Sequence, residues 1–413
     1  MLRRLTVRNF KSLRDVTVEL PRLAVLFGPN AAGKSNILEA TQALSWLGNA
    51  RTLNDALQAP FPVRGFAFEA LPFDPGGFPA QLDRETDTFL LEADLDTEGG
   101  PYRYRIEPQV NYRTGELTVA DEYLAQLGKS GQPKRGPAIQ RVDSQLRIRR
   151  KGKPSHPRQE AVGLNHSVLS DGSLTGNGYV WLDHVRAELA NWRTYYLEPR
   201  TLMRQERAPA AYTDIGVHGE YIAPFLHFLR GVEPKRFDAV IRRLQTMIPG
   251  INGLTVELDQ HRGTLNLSVR QAGAAHSARV VSEGTLRVLA LCAITANPWS
   301  GSLVTLEEPE NGVHPRRLER ITRLIMELSA ERQVIVSSHS PLLVSTILAA
   351  KRASDVPERI GLFNVRQEGG RTVVEPFELP GALFEDREVL EALTDRGESA
   401  VFEGLLLRGM IDE

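Results

Sequence analysis

The stretch from Leu23 to Asn36 reads Leu-Ala-Val-Leu-Phe-Gly-Pro-Asn-Ala-Ala-Gly-Lys-Ser-Asn. Its apolar run, residues 23–27, predicts a buried strand, and the periodic residues from Lys34 onward predict a helix. The loop between them has the spacing G-x-x-x-x-G-K-S, which in a strand–loop–helix setting is typical of a phosphate-binding loop. We therefore predict an α/β fold that binds a nucleotide at this loop.

Two glycines explain how such a loop binds phosphate. Gly28 and Gly33 can adopt backbone angles that a side chain would forbid, so successive N–H groups can surround an anion. The following helix adds the positive end of its dipole. We expect Lys34 to reach the β- and γ-phosphates and the Ser35 hydroxyl to bind Mg²⁺; the alternative is a chance glycine turn. The residues assigned to the nucleotide here are Gly28, Pro29, Asn30, Ala31, Ala32, Gly33, Lys34, Ser35 and Asn36.

Composition places the chain among ordinary globular proteins. Its 413 residues are 41% hydrophobic and 24% charged, with a formal net charge of -1, enough for one large domain or two. The one cysteine, Cys292, excludes an intramolecular disulfide, suggests a reducing cytoplasm and reads as a core residue. No apolar run of membrane-spanning length and no signal peptide is visible, so we expect a cytoplasmic protein without a membrane partner.

Alternating polar and apolar residues predict antiparallel strands in the first third of the chain. Residues 2–9 and 14–20 form a predicted hairpin that leads into the strand at 23–27, and a helix is expected over 34–48. Residues 51–87 are rich in Pro, Gly and Phe and are interpreted as an irregular insertion. Further strands are predicted over 88–95, 102–107 and 116–125.

A basic segment follows over residues 128–160. From Lys134 to Arg158 it holds nine Lys or Arg residues and one acid, Asp143, a net charge of +8. Such a loop suits DNA or RNA, but it is equally typical of a solvated excursion. The second interpretation is slightly favoured because no aromatic residues are interleaved for stacking.

Helical periodicity dominates the next part of the chain. Helices are predicted over 180–192 and 219–248, so we expect a mainly helical insertion between residues 121 and 250. A further hairpin is predicted from 254–258 with 264–270.

A second group of motifs begins at Ser282-Glu283-Gly284, which precedes an apolar helix. Ser282 is a good N-cap and Glu283 suits the first helical turn, so one interpretation is simply a capped core helix. The strand predicted at 302–306 then runs into Glu307-Glu308, and adjacent carboxylates at a strand end are costly unless a cation or hydrogen bonds receive them.

The strand predicted at 333–336 ends in Ser337-Ser338-His339-Ser340. Because ligands bind at the carboxyl ends of parallel strands, we expect His339 and the Glu307–Glu308 pair to lie at one site.

The order of these motifs resembles the ABC-type ATPases of the RecF-like and structural-maintenance-of-chromosomes (SMC) class. More closely, it resembles bacterial AAA-type ATPases related to the overcoming-lysogenization-defect proteins. The similarity includes Leu5-Thr-Val-Arg-Asn-Phe-Lys-Ser12, Val281–Arg287, Glu307–Pro315 and Ser337–Pro341. It implies the fold class: α/β, a P-loop NTPase of ABC-ATPase type, with a mixed sheet, an antiparallel N-terminal lobe and a helical insertion.

The resemblance also implies roles for individual residues. The loop would hold ATP, Glu307 at the Walker B position would join Ser35 in binding Mg²⁺, and Glu308 would activate the attacking water. His339 would sense the γ-phosphate, and Lys34 would complete the catalytic set. Ser282 and Gly284 would form the signature that closes over the nucleotide of a partner subunit, giving an ATP-bound homodimer. Glu310, Asn311 and His314 would occupy the D-loop region.

This chain departs from the family pattern at three places. Glu283 stands where transporter signatures have Gly, so its carboxylate is expected to point away from the γ-phosphate. Glu307 stands where Walker B usually has Asp, which implies an altered Mg²⁺ geometry. The Q-loop glutamine is not identifiable, and Gln81 is the residue we name for it.

The resemblance implies an ATP-hydrolysing dimerisation switch coupled to DNA in repair or genome maintenance. The alternative is the ATPase subunit of an anti-phage defence or toxin-type system that gates a separate effector protein. A transporter subunit is disfavoured by Ser282-Glu-Gly284 and by the hairpin insertions. A small-molecule kinase is disfavoured by the paired Glu residues and the strand-end His.

The four expected segments are an N-terminal ATPase lobe (1–120), an insertion (121–250), a C-terminal ATPase lobe (251–350) and a C-terminal hairpin and helix (351–413). The hairpin is predicted over 359–366 with 371–377 and the helix near 386–394. The overcoming-lysogenization-defect proteins carry a C-terminal Toprim nuclease, but no Asp-x-Asp strand end is visible here. We therefore expect no nuclease activity.

Overall fold

The structure, a computed structural model, describes residues 1–57, 70–72 and 85–377. Its α-helices are α1 (Lys34–Leu47), α2 (Leu53–Leu57), α3 (Val180–Ala190), α4 (Ile222–Val232), α5 (Pro234–Met247), α6 (Glu283–Ala296), α7 (Leu318–Glu331) and α8 (Pro341–Arg352). The strands of the first half are β1 (Leu2–Phe10), β2 (Leu13–Glu19), β3 (Leu23–Phe27), β4 (Thr86–Thr88), β5 (Leu90–Thr97), β6 (Gly100–Asn111), β7 (Leu117–Gln126), β8 (Ile139–Val142), β9 (Gln145–Arg150), β10 (Lys153–Ala161) and β11 (Trp192–Tyr195). Those of the second half are β12 (Ile251–Asp259), β13 (Thr264–Gln271), β14 (Ala274–Ser277), β15 (Leu303–Glu307), β16 (Gln333–Ser338), β17 (Ile360–Glu368) and β18 (Arg371–Pro376).

The chain divides into two compact units. The first unit comprises Met1–Pro21, Pro29–Trp192 and Val365–Glu375. The second comprises Arg22–Gly28, Arg193–Asn364 and the described residues from Pro376 onward. The chain leaves the second unit directly after Gly28, so the phosphate-binding loop begins in one unit and continues in the other.

An antiparallel sheet forms most of the first unit. Its strand order is β10-β9-β8-β7-β6-β5-β1-β2, and β4 pairs with β6 at the side. The predicted N-terminal hairpin is confirmed, with Val7 opposite Val16 in the β1–β2 register. Buried and half-buried residues alternate along β6 because one face of the sheet packs against the core. The predicted strands at 88–95, 102–107 and 116–125 correspond to β5, β6 and β7.

The structure corrects the expectation of a loop and a mainly helical insertion after residue 121. Residues 139–161 are the strands β8, β9 and β10, which extend the antiparallel sheet to its edge. Leu146 and Ile148 alternate with exposed or half-buried neighbours along β9, which is the pattern of a half-buried strand. The Gly and Pro residues of this segment are typical of loops, and the alternation in β9 is only a few residues long, so the sequence pattern favoured a loop over strands.

A parallel sheet forms the centre of the second unit. The six-stranded sheet has the order β11-β15-β16-β3-β17-β18, and β15, β16, β3 and β17 run parallel. The strand β17 passes into the first unit after Asn364, where β18 follows as the second strand of the predicted hairpin. A three-stranded sheet, β12-β13-β14, completes the strands of the second unit.

The helix predicted over 219–248 is two helices. The helix α4 ends at Val232, and α5 begins at Pro234, because proline cannot continue a helix but suits its first position. The helix α6 is buried over nearly its whole length, and burial raises the pKa of Cys292 within it to about 12. Cys292 is therefore a core residue, as its apolar neighbours predicted.

None of the helices in the described part of the chain combines the length and the apolar character needed to cross a membrane.

Candidate functional site

The phosphate-binding loop has the backbone geometry that its glycines predict. Gly28 and Gly33 adopt φ values of 147° and 103°, and Ala31 lies in the left-handed region at 67°. The helix α1 begins at Lys34, and within the described residues no side chain caps it by a hydrogen bond. The N-cap residue is Gly33, which has no side chain to accept from the first N–H groups of α1. The positive end of the helix dipole at this position favours an anionic ligand.

A chain of hydroxyl groups in the first unit holds this loop. The Thr372 hydroxyl donates to the Ala32 carbonyl at 2.9 Å, and the Ser12 hydroxyl lies 2.6 Å from that of Thr372. The Asn36 amide donates to the Ser12 oxygen at 2.7 Å. A Cβ on Gly33 would lie 2.0 Å from the Thr372 hydroxyl, so only glycine fits beside this contact. The sequence reasoning missed Thr372, which lies far away in the chain with no motif around it.

Lys34 lies against the same loop. Its ammonium donates to the Pro29 carbonyl at 2.6 Å, and the residue is buried. Lys11, from the turn between β1 and β2, forms an ion pair with Glu39 of α1. The N-terminal hairpin therefore contacts both the loop and its helix.

Within the second unit, three parallel strands end at one edge. Glu307 of β15 lies opposite Ser337 of β16, and Ser338 lies opposite Phe27 of β3. Because parallel strands in register end together, Glu307, the residues after Ser338, and Gly28 share that edge. The expectation that the paired Glu residues and the Ser/His cluster lie together is met by this register.

Glu308 and His339 are hydrogen-bonded to each other. Nδ1 of His339 lies 3.0 Å from Oε1 of Glu308, and the Asn311 amide donates to Oε2 at 2.5 Å. The Glu308 backbone has a φ of 42°, and its N–H donates to the Ser337 carbonyl at 3.0 Å. A left-handed conformation is unfavourable for Glu, so the surrounding hydrogen bonds hold this carboxylate in place at some energetic cost.

Glu310 is a buried carboxyl group in the turn after Glu308. The Ser338 hydroxyl donates to its Oε1 at 2.5 Å, whereas Oε2 is buried without a hydrogen-bond partner among the described residues. Burial raises the pKa of Glu310 above its usual value. The turn after β15 therefore carries a second carboxyl group two residues after Glu308.

The predicted signature forms the beginning of α6. The Ser282 hydroxyl accepts from the Thr285 N–H at 3.3 Å, which is the N-cap expected from sequence. A Cβ on Gly284 would lie 2.3 Å from the carbonyl oxygen of Gly312. Because Gly284 has no side chain, the backbone at the start of α6 can lie in contact with the backbone of the turn after Glu308.

Two charged residues complete this part of the second unit. Glu283 pairs with Arg200 at 3.0 Å on the exposed surface, consistent with a carboxylate that points away from a phosphate. Arg287 is half-buried, its Nε has no hydrogen-bond partner within the described residues, and burial lowers its pKa. Among acidic groups, Glu310 does most to oppose this lowering of the Arg287 pKa. Sequence reasoning quoted Arg287 within a motif but gave it no role.

The chemical types of these groups are those that bind a magnesium–nucleotide complex. The loop and Lys34 offer N–H and ammonium donors to phosphate oxygens. The Ser35 hydroxyl and the Glu307 carboxylate offer the oxygen ligands that Mg²⁺ prefers. Gln81, named for the Q-loop, and the helix expected near 386–394 lie outside the described residues.

Comparisons with known proteins agree on the class. The model of a family described as "AAA domain, putative AbiEii toxin, Type IV TA system" matches residues 23–345. Among curated proteins, none matches. An SMC head bound to the C-winged-helix domain of ScpA has a TM-score of 0.52 and 14% identity, over 92% of this chain and 99% of that chain.

Two further solved structures are similar. The SMC head domain from Thermotoga maritima has a TM-score of 0.41 and 17% identity, over 92% of this chain and 99% of that one. An Smc head domain bound to the C-terminal domain of ScpA from Pyrococcus furiosus has a TM-score of 0.48 and 14% identity, over 95% and 99%. The family match covers most of the chain and the first structural match shows the fold: this chain belongs to the AAA-domain family described above and has the ABC-type ATPase fold of SMC heads.

Proposed function

We propose that this chain binds ATP with Mg²⁺ and hydrolyses it. The observation that carries the proposal is the hydrogen bond between Glu308 and His339. This pair lies at the edge of the parallel sheet where β3 ends, and Gly28 begins the phosphate-binding loop directly after β3. In phosphoryl transfer the protein mainly positions the reactants and neutralises charge. Glu308 orients and activates the water, and His339 senses the γ-phosphate.

The remaining residues hold the nucleotide. The residues Gly28 to Asn36 surround the phosphates, with Lys34 as the principal cation. Ser35 and Glu307 hold Mg²⁺, which when bound neutralises charge on the transferred phosphoryl group. Asn311 fixes the Glu308 carboxylate through its amide hydrogen bond.

The nucleotide also acts as a dimerisation switch. Ser282 and Gly284 of one subunit complete the nucleotide site of its partner, so ATP favours the closed homodimer and hydrolysis releases it. The support is the exposed position of Ser282 at the start of α6 and the similarity to ATPase heads.

We propose that the switch is coupled to DNA in the cytoplasm, as in repair or genome maintenance, without a nuclease activity in this chain. The basic strands β8–β10 support a DNA partner. The alternative is that the ATPase gates a separate effector protein in a defence or toxin-type system. That alternative is supported by the description of the family, which names a toxin of a type IV toxin–antitoxin system.

Phosphate release from ATP tests the hydrolysis proposal. We expect turnover by the wild-type protein with Mg²⁺, and a loss of at least about 100-fold in Glu308→Gln, because general-base catalysis contributes roughly that factor. Lys34→Ala should lose nucleotide binding itself. An Arg242→Gln protein, changed at an exposed helix residue and purified in the same way, controls for contaminating ATPases. Equal rates in the wild type and in Glu308→Gln would contradict the assignment.

Sedimentation velocity tests the switch. Glu308→Gln should sediment as a dimer with ATP and Mg²⁺ and as a monomer without nucleotide, since it binds ATP but does not release the closed state. The double variant Glu308→Gln with Ser282→Arg should bind ATP and remain monomeric. One unchanged species in all of these conditions would refute nucleotide-driven dimerisation while leaving hydrolysis to its own assay.

A further inference from the structure

One face of the strands β8, β9 and β10 carries two arginines, Arg147 and Arg149, with polar neighbours. Gln140, Arg147 and Gln159 lie side by side across the three strands, and Arg149 follows Arg147 on the same face. Two residues along a strand are about 7 Å apart. The opposite face carries the buried Leu146 and Ile148, with Arg141 and Arg158 as their cross-strand partners. Arg147 and Arg149 therefore point away from the side of the sheet that holds these two buried residues.

Most of the positive charge of this segment forms no ion pair within the described residues. Arg158 pairs with Glu160 and Asp171. Within residues 1–57, 70–72 and 85–377, none of the other Lys and Arg residues from 134 to 153 forms an ion pair with a carboxylate; they are Lys134, Arg135, Arg141, Arg147, Arg149, Arg150, Lys151 and Lys153. The protein as a whole carries a net charge of -1, so this segment concentrates positive charge locally.

The tertiary structure supplies aromatic side chains that the local sequence lacks. The Arg149 guanidinium lies 4.4 Å from the centre of the Trp181 ring, and Arg150 lies 5.9 Å from that of Tyr179. Both aromatic residues come from the start of α3, some thirty residues further along the chain. The local sequence favoured a solvated excursion because no aromatic residues are interleaved in it. The folded surface does place aromatic side chains beside these arginines, so that argument no longer holds.

Arg149 is held in an unusual environment. Its Nε is buried without a hydrogen-bond partner among the described residues. Burial and the nearby positive charge of Arg135 both lower the pKa of Arg149. The Arg149 guanidinium also approaches the loop that holds Arg135, because a Cβ on the adjacent Gly136 would lie 3.6 Å from its Nη1. Like charges repel each other, and an anion bound beside them would relieve that repulsion.

We propose that Arg147 and Arg149 on this face, together with Arg135 from the segment before β8 and supported by Trp181, bind the phosphate backbone of duplex DNA without reading its sequence; we call these residues the basic face. This inference rests on the proposed function and names the DNA contact of the switch. Guanidinium groups suit phosphate because they donate in pairs. One face of Trp181 is covered by Arg149, so it supports the arginine rather than stacking with unpaired bases, which favours duplex over single-stranded DNA.

Fluorescence anisotropy with a labelled 30-base-pair duplex tests the basic face on the full chain. We expect the wild-type affinity to fall steeply with salt, and equally for two unrelated sequences. Arg135→Gln with Arg149→Gln should weaken binding about tenfold or more and make the slope of log K against log salt shallower by about two. The matched control, Arg236→Gln with Arg242→Gln, removes the same charge from exposed positions on α5.

A third variant separates the packing of Trp181 against Arg149 from the charge of the arginines. Trp181→Leu leaves the formal charge unchanged, so it should weaken binding several-fold without changing the salt slope. If both double variants lose affinity equally, the effect is one of total charge and the assignment to the basic face is overturned. Binding of a duplex RNA or of single-stranded DNA in preference to duplex DNA would also overturn it.

Nucleotide binding, measured on the same samples with a fluorescent ATP analogue, keeps the two proposals apart. A protein that binds ATP but no duplex refutes the basic face and leaves the ATPase proposal standing. A protein that binds duplex DNA but no ATP refutes the nucleotide switch and leaves the basic face standing.

Discussion

At the scale of single residues, the phosphate-binding loop depends on one distant hydroxyl. Because Thr372 donates to the Ala32 carbonyl, its oxygen must accept from Ser12, whose own oxygen accepts from the Asn36 amide. Each hydroxyl has one proton, so the direction of this chain of hydrogen bonds is fixed. The loop beside Gly33 is thus hydrogen-bonded to a residue more than 300 positions away.

Removing the Thr372 hydroxyl should weaken nucleotide binding. Thr372→Val keeps the shape of the side chain but leaves a buried carbonyl unpaired, which costs about 1–3 kcal/mol. We expect the dissociation constant for ATP with Mg²⁺ to rise about tenfold, measured by titration with a fluorescent analogue. Thr372→Ser should restore most of the affinity, and Thr118→Val, on β7, should have no effect. Unchanged affinity in Thr372→Val would show that the loop does not need this hydrogen bond.

Glu122 predicts a pH dependence of stability. Glu122 is buried in β7, and this burial raises its pKa to about 7. Hydrogen bonds from the N–H groups of Val168 and Leu169 favour the charged form and partly oppose the rise. The folded pKa exceeds the unfolded value of 4.5, so its contribution is complete below pH 4.5 and is lost as pH rises through about 7.

We therefore expect the free energy of unfolding in urea to fall by about 2 kcal/mol more between pH 5.5 and pH 8 in the wild type than in Glu122→Gln. Glutamine mimics the protonated carboxyl group and does not titrate. Parallel pH profiles for the two proteins would contradict the raised pKa of Glu122.

At the scale of elements, the backbone at the start of α6 is in contact with the backbone of the turn after β15. Ser282 caps the helix, and Gly284 lies against the Gly312 carbonyl. A backbone oxygen cannot rotate away as the end of a side chain can, so we expect a displacement of this turn to shift the start of α6 as well.

Gly284→Ala should disrupt this contact. Its Cβ would lie 2.3 Å from the Gly312 oxygen, so we expect a loss of about 2 kcal/mol in the free energy of unfolding, and loss of ATP-dependent dimerisation in the Glu308→Gln background. Gly231→Ala is the matched control, because within the described structure nothing lies within 4 Å of its Cβ. A Gly284→Ala protein as stable as this control would show that the contact tolerates a side chain.

At the scale of the whole molecule, separate parts of the chain are joined by sheet registers. Strands β3, β15 and β16 lie far apart in sequence, yet they end at one edge of the second unit. The first unit instead extends an antiparallel sheet to the basic strands at its margin. Charge is segregated as well, because a chain of net charge -1 carries a local segment of +8.

Nucleotide should stabilise the whole protein by linkage. At 100 times the dissociation constant, ATP with Mg²⁺ adds about 3 kcal/mol to the free energy of unfolding, which corresponds to a rise in melting temperature of about a few degrees. The measurement is differential scanning fluorimetry of Glu308→Gln. EDTA should abolish most of the rise, whereas in Lys34→Ala no rise is expected. An equal rise without Mg²⁺ would argue against the roles of Ser35 and Glu307.

The sequence alone determined the features that depend on local spacing. The loop from Gly28 to Ser35, the capped start of α6 at Ser282 and the polar ends of β15 and β16 were all predictable, because turns, caps and short buried strands are encoded by neighbouring residues. The family resemblance followed from the order of these motifs.

Only the tertiary structure decided what distant residues do. It showed strands in the basic segment, placed Trp181 beside Arg149, and brought Thr372 to the carbonyl of Ala32. None of these pairs is adjacent in sequence, and contacts between distant segments depend on strand register and on the packing of the whole sheet. Local patterns specify what a segment can form, whereas the physical cost of leaving a buried polar group unpaired selects its partner.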